Sequence, residues 1–200
     1  MTTLLKKIKY DVIFEPLAGE VECGDQYFIK ELDDSVLFAV ADGLGHGKEA
    51  AYAAKKALEI LAKNPRESLE NLLKLCHEAL HGTRGSAMTM AKIDANNKLM
   101  YMAVGNVEGV CWKTDSNAKL THQTIIVEGG IVGDRIPKFI KVNQIAMAPG
   151  DIFILATDGI YTGFEIEPPR LELPEKIAKE IFTTYRNKKD DGLIFVLQLL

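Results

Sequence analysis

The sequence predicts an α+β fold, with antiparallel sheets paired mainly by hairpins and helices on the outside. Two observations carry this expectation. Short runs of β-forming residues, bounded by turn-forming clusters, come in the order strands, two helices, strands, a helix and a strand. That order lacks the regular βαβα alternation of a Rossmann or P-loop protein. The length, 200 residues, suits one domain or two very small ones, and 47% hydrophobic against 26% charged residues allow an ample core.

The elements follow in order. YDVIFEPL, QYFIKEL and SVLFAVA read as strands. Lys48 to Ala62 is rich in Ala, Leu, Lys and Glu, which favour helix. Asn64-Pro65 stops that helix and starts another, with Asn64 as its cap, Pro65 at the first position and Glu67 at the third. Leu69, Leu72, Leu73, Cys76 and Leu80 then make one apolar stripe, and Gly82 closes the helix. SAMTMAKI and KLMYMAVGNVEGVCWK flank the turn cluster DANN and read as a hairpin. THQTIIV, KFIKVNQIAM and DIFILAT are further strands, the last two joined by the turn APGD. LPEKIAKEIFTTYR is a third helix and GLIFVLQLL a final buried strand.

Composition excludes several classes. A formal charge of −4 argues against a general nucleic-acid binder. LIFVLQLL is far too short to span a bilayer, and MTTLLKKIKYDVIF has no apolar core long enough for a signal peptide, so no membrane is expected. Cys23, Cys76 and Cys111 are widely spaced with no CxxC, which fits a reduced, cytoplasmic protein without disulfides or a cysteine zinc site.

The stretch FAVADGLGHGKEAA, Phe38 to Ala51, is the strongest local signal. As a P-loop it fails, because Asp42 stands at the leading glycine position and Glu49 at the hydroxyl position. The dinucleotide pattern fails at Lys48. A metal reading suits Asp42 better, since it ends a buried strand beside flexible glycines. DIFILATDGI repeats the same grammar and puts Asp158 at a strand end. Asp190-Asp191 directly precede the last strand, and Asp25, with Glu22 nearby, precedes an early one. One Asp-Gly pair alone is more often a turn than a ligand. Several carboxylates beside buried segments call for a compensating cation.

These motifs together resemble the metal-dependent PPM (type 2C) serine/threonine phosphatases, and within them the small bacterial branch of SpoIIE, RsbU and RsbX. VADGLGHGKEAA is similar to the branch's Asp-Gly-x-Gly-His-Gly motif, GSAMTM to its Gly-Ser/Thr-Ala strand, and AVGNVEG to its Gly-Asn segment. LATDGI resembles its Thr-Asp-Gly, and DDGLIFVL its terminal Asp-Asp/Asn strand. The motifs keep family order over nearly the whole chain, so 1–200 is expected to be a single phosphatase domain. The short length is most similar to RsbX.

The resemblance implies a two-sheet antiparallel β-sandwich flanked by α-helices, with two Mn²⁺ or Mg²⁺ ions at one edge. It implies that Asp42 bridges both ions and that the Gly43 carbonyl holds one. Asp158 and Asp190 hold the other, Asp191 is the fallback for Asp190, and Asp25 acts through a water on the metals. All are oxygen ligands, which favours these ions over zinc. Two cations would neutralise a phosphoserine or phosphothreonine dianion and activate a water for in-line attack. The implied partner is a phosphorylated protein, a STAS-domain stressosome protein in stress-response signalling. No N-terminal arginine stands where larger members hold phosphate.

Two other readings compete. HEALH matches the H-E-x-x-H zinc-protease motif through His77, Glu78 and His81, although Gly82 ends the helix at once and no nearby helix offers a third ligand. A solvated helix flank is the plainer account of these histidines. A catalytically inactive binding module on the same fold is the second. His46 reads as a proton donor or as a surface residue, and Cys76 as core.

Overall fold

Three strands are apolar along both faces, and this sets the layering. They are β3 (Ser35–Gly43), β9 (Ile152–Ala156) and β10 (Gly192–Leu199). A strand hydrophobic on both faces needs cover on each side. The computed structural model describes residues 7–114, 120–165 and 173–200. Positions 1–6, the start of the segment read for a signal peptide, lie outside them.

The remaining described elements are β1 (Ile8–Glu15), β2 (Asp25–Glu31), α1 (Gly47–Lys63), α2 (Leu69–Ala79), β4 (Ser86–Asp94), β5 (Lys98–Val104), β6 (Glu108–Thr114), β7 (Leu120–Thr124), β8 (Asn143–Ala146) and α3 (Pro174–Tyr185). They build two five-stranded sheets, ordered β1-β10-β9-β6-β7 and β2-β3-β4-β5-β8, antiparallel throughout. The expected sandwich is present.

Alternation along each strand divides the core. Val36, Phe38 and Val40 of β3 face Phe153, Leu155, Phe195 and Leu197 across the sandwich, with Phe38 stacked on Phe195 at 5.3 Å. The alternate residues Leu37, Ala39 and Ala41 turn outward and pack under α1 and α2. Ile152, Ile154, Ile194 and Val196 of the other sheet pack under Ile177, Ala178 and Ile181 of α3. The period-two pattern therefore yields helix, sheet, sheet, helix layers.

Some expected boundaries and pairings differ. KLMYMAVGNVEGVCWK is not one strand: β5 belongs to one sheet and β6 to the other. The chain crosses over at Gly105, which has φ +100° and where a Cβ would lie 2.3 Å from that of Ala87. The turn APGD likewise joins strands of different sheets rather than a hairpin. Among the described strands, neighbours in sequence pair directly only as β2–β3, β4–β5 and β6–β7, apart from β3–β4 and β9–β10, which have helices between them; the other pairings join strands distant in sequence. Asn64 caps the C-terminus of α1 rather than starting α2, its backbone N–H donating to the Ile60 carbonyl. Ser68 is the cap of α2, its hydroxyl accepting from Asn71 N at 3.2 Å. A serine one turn later competes for the same role and wins because Asn64 is already used.

Candidate metal centre

The acidic residues singled out in the sequence meet at one edge of the sandwich, two contributed by each sheet. Asp25 opens β2 and stands directly opposite Asp42 near the end of β3. Asp158 follows β9 by two residues, Asp190 precedes β10 by two, and β9 and β10 are neighbours. Like charges facing each other across a strand pair are destabilising. Nothing in the fold of the strands requires this, so it points to a site.

Neutral side chains stitch the acids together. The Thr157 hydroxyl donates to Asp25 Oδ2 at 2.7 Å and accepts from Leu193 N at 2.9 Å, tying the first sheet's acid to the second sheet. The Asn106 amide donates to Asp158 Oδ2 at 2.7 Å and is also hydrogen-bonded to the Asp42 carboxylate. One amide thus spans two acids from opposite sheets. The Ser86 hydroxyl lies 2.8 Å from the Asp42 carbonyl and anchors the end of β3 to β4. Gly43 must be glycine for a packing reason, because a Cβ there would lie 2.0 Å from the Ala50 carbonyl of α1.

Electrostatics confirm the crowding. Burial pushes the Asp42 carboxyl up to about 9, helped by the charges of Asp25, Asp158 and Asp190 and opposed by the Asn106 hydrogen bond. Asp25 is pushed up to about 7, again mainly by burial, with Thr157 opposing and Asp191, Asp158 and Asp190 adding repulsion. Asp158 is raised by partial burial and by Asp190. Such a cluster holds its charges only with cations present.

The two adjacent aspartates have different jobs. Asp191 is buried, and its carboxylate accepts from Leu17 N at 2.7 Å and Gly24 N at 2.8 Å. Both of its oxygens are therefore used to hold the loop that leads to Asp25. Asp190 accepts from Asp191 N through Oδ1 alone, which leaves Oδ2 open. Glu22 is drawn off to Lys55, 2.6 Å away.

The donor set is all oxygen and fits Mg²⁺ or Mn²⁺. Among the described residues no group of three or more His, Cys, Asp or Glu side chains is placed to hold a metal ion by itself. A site here would need backbone carbonyls and waters to complete it.

The family model for stage II sporulation protein E (SpoIIE) matches residues 32–198. The chain belongs to the SpoIIE family. It is 27% identical over 181 residues to the phosphoserine phosphatase RsbX of Bacillus subtilis (strain 168), covering 90% of this chain and 88% of that one. A chain from a structure of the bacterial stressosome, described as a modular system adapted to control secondary messenger signalling, is 27% identical. It superposes with TM-score 0.85 over 96% of this chain and 100% of that one. Crystalline RsbX in complex with magnesium is 24% identical with TM-score 0.81, over 96% of each chain.

In this SpoIIE-family chain the HEALH stretch has a structural role. Gly133 N donates to His77 Nδ1 at 3.0 Å, and His81 Nδ1 lies 2.9 Å from the Gly133 carbonyl. The two rings cross at 4.8 Å, so the pair clamps the segment around Gly133 rather than forming a free helix flank. Glu78 is exposed, and no third ligand joins them among the described residues. His46 pairs with Glu20 at 2.7 Å on the surface. All three cysteines are buried thiols pushed up to about 12 by burial, which removes them as nucleophiles.

Two arginines near the site escaped the sequence reading. Arg186 donates to the carbonyls of Gly159 at 3.1 Å, Asp190 at 2.7 Å, Glu15 at 3.3 Å and Asn187, so it locks the loop after Asp158 to the loop carrying Asp190. Arg84 is exposed and lays its guanidinium over Gly45 of the glycine loop, where a Cβ would come within 2.8 Å of Nη1. Neither sits in a motif, and a lone arginine in sequence carries no signal. A cleft of about 190 Å³ opens beside Asp158, lined by Asn106, Tyr161 and Phe164 among others. It shares Asn106, Glu108 and Phe164 with a second cleft of about 410 Å³.

Proposed function

We propose that this SpoIIE-family chain is a metal-dependent protein serine/threonine phosphatase. Its substrate is a phosphoserine or phosphothreonine of a partner protein, a STAS-domain component of a stressosome, and it works in the cytoplasm as RsbX-like enzymes of stress signalling do. The observation that carries this reading is the gathering of Asp25, Asp42, Asp158 and Asp190 from both sheets at one edge. The similarity to the phosphoserine phosphatase RsbX supports it. No described helix is long and apolar enough to cross a membrane.

Asp42, the Gly43 carbonyl, Asp158 and Asp190 would hold the ions, and Asp25 would act through water. Bound there, two Mg²⁺ or Mn²⁺ ions supply charge for the phosphate dianion and a more acidic water for in-line displacement. The chain does the positioning. Thr157 fixes the Asp25 carboxylate and Asn106 fixes Asp158, so neither must reorganise when substrate arrives. Asp191 and Arg186 hold the loops rigid behind them. Arg84, at the rim, offers a guanidinium to phosphate oxygens in the place of the absent N-terminal arginine. The cleft beside Asp158 takes the residues flanking the phosphoserine.

The test is hydrolysis of p-nitrophenyl phosphate and of a phosphorylated STAS-domain protein with Mn²⁺, Mg²⁺, Zn²⁺ or EDTA. Wild type should turn over with Mn²⁺ or Mg²⁺, and Asp158→Asn should not. Absence of metal-dependent turnover on both substrates would instead make the chain an inactive binding module.

A further inference from the structure

Away from the catalytic edge, a groove of about 530 Å³ runs between α2 and the segment Ile136–Lys141. Its floor is apolar: Leu73 and Met102 are buried there, and Ile136 packs on the same core. Phe139 stands at its wall with 90% of its surface exposed. A phenyl group presented this way forgoes about 2–3 kcal/mol of burial. Ile140, partly buried, packs against the core beside it and Pro137 restricts the backbone before it, so the ring is held out by its neighbours.

The rim is basic. Lys74, Lys138 and Lys141 line the groove, are exposed, and make no ion pair among the described residues. Glu70 is the lone acid in the lining. This local excess of positive charge stands on a chain whose formal charge is −4. The α2 wall of the groove is the stretch from Glu70 to Lys74, little more than one helical turn. An apolar floor with a cationic rim matches one face of an amphipathic helix bearing apolar residues at i, i+3 and i+4 and carboxylates beside them. A lipid surface would call for a convex tip, whereas this floor is concave and sunk between two walls.

We propose that this groove docks an acidic amphipathic helix of a partner protein, with Phe139 as the hot spot. The inference goes beyond the catalytic reading and does not depend on it. The position is nonetheless useful to an enzyme. Val132, just before the segment, pairs with Ser86 beside Gly43, and Met102 pairs with Met90, four residues along β4, so the groove begins about 13 Å from the catalytic edge.

The probe is a synthetic peptide of about 18 residues, leucine at helical spacing and glutamate elsewhere, followed by fluorescence anisotropy, with a lysine-for-glutamate peptide as control. Wild type should bind the acidic peptide with a dissociation constant of about 10–100 µM, weakening with salt. Phe139→Asp and the double variant Lys138→Glu/Lys141→Glu should each weaken it roughly tenfold or more. Metal-dependent p-nitrophenyl phosphate hydrolysis should stay unchanged in both, so failure of docking and failure of catalysis read separately. Equal binding of both peptides, no binding, or indifference to Phe139→Asp would overturn the proposal. Binding of phosphatidylserine vesicles in place of the peptide would make the surface a membrane contact. Self-association lost in Phe139→Asp, with no peptide binding, would make it a dimer face; either result overturns the helix assignment.

Discussion

Asp190 and Asp191 are chemically identical neighbours, and exchanging each in turn separates the proposed ligand from a structural strut. Replacing Asp191 by alanine strips the acceptor from two backbone N–H groups, Leu17 at 2.7 Å and Gly24 at 2.8 Å. Each amide left unsatisfied costs about 1–3 kcal/mol, so the loss is about 2–6 kcal/mol. At about 2–4 °C per kcal/mol for a chain of this size, Tm should fall by roughly 4–24 °C. Asp190→Asn behaves oppositely. Its amide oxygen can still accept from Asp191 N, and one negative charge leaves a repulsive cluster. Without metal its Tm should hold or rise, while turnover with Mn²⁺ and calorimetric metal affinity should collapse. Thermal unfolding in EDTA, run beside p-nitrophenyl phosphate kinetics, reads both. If Asp191→Ala keeps its Tm and loses metal, while Asp190→Asn stays active, the division of labour argued from these hydrogen bonds is wrong.

Further outcomes follow from the same geometry. Asp42 and Asp25 have folded-state values raised to about 9 and about 7, so the native chain binds more protons than the unfolded one between their ordinary range and those values. Stability without metal is therefore greatest in acid, at the ordinary carboxylate range, and falls as pH rises through the raised values. Thermal scans in EDTA from acid to mildly alkaline buffer should show that fall, Mn²⁺ should reverse it most at the alkaline end, and a flat profile would refute it. Glu78→Ala should leave phosphatase activity intact and Asp42→Asn should abolish it; the reverse would favour the protease motif. Arg84→Ala should raise KM for phosphoprotein and weaken inhibition by inorganic phosphate roughly tenfold at unchanged Tm, with Arg84→Lys intermediate. An unchanged phosphate inhibition constant would remove Arg84 from the site.

The sequence by itself determined the elements and the acids. The apolar runs of β3, β9 and β10 and the stripe Leu69, Leu72, Leu73, Cys76 and Leu80 are legible because burial imposes a period on local residues. Asp25, Asp42, Asp158 and Asp190 stood out because each lies at the end of such a run. Sheet membership was not legible. One continuous pattern, KLMYMAVGNVEGVCWK, serves both sheets, because alternation reports which face is buried and not which strand lies alongside. Only the tertiary structure decided that Asp191 is a strut, that Asn106 and Thr157 bridge the acids, that Arg186 and Arg84 flank them, and that His77 and His81 clamp Gly133. The physical reason is range. Periodicity and capping are written by neighbours a few residues apart, whereas the contact between Asp191 and Gly24 spans 167 residues and exists only once the two sheets have closed.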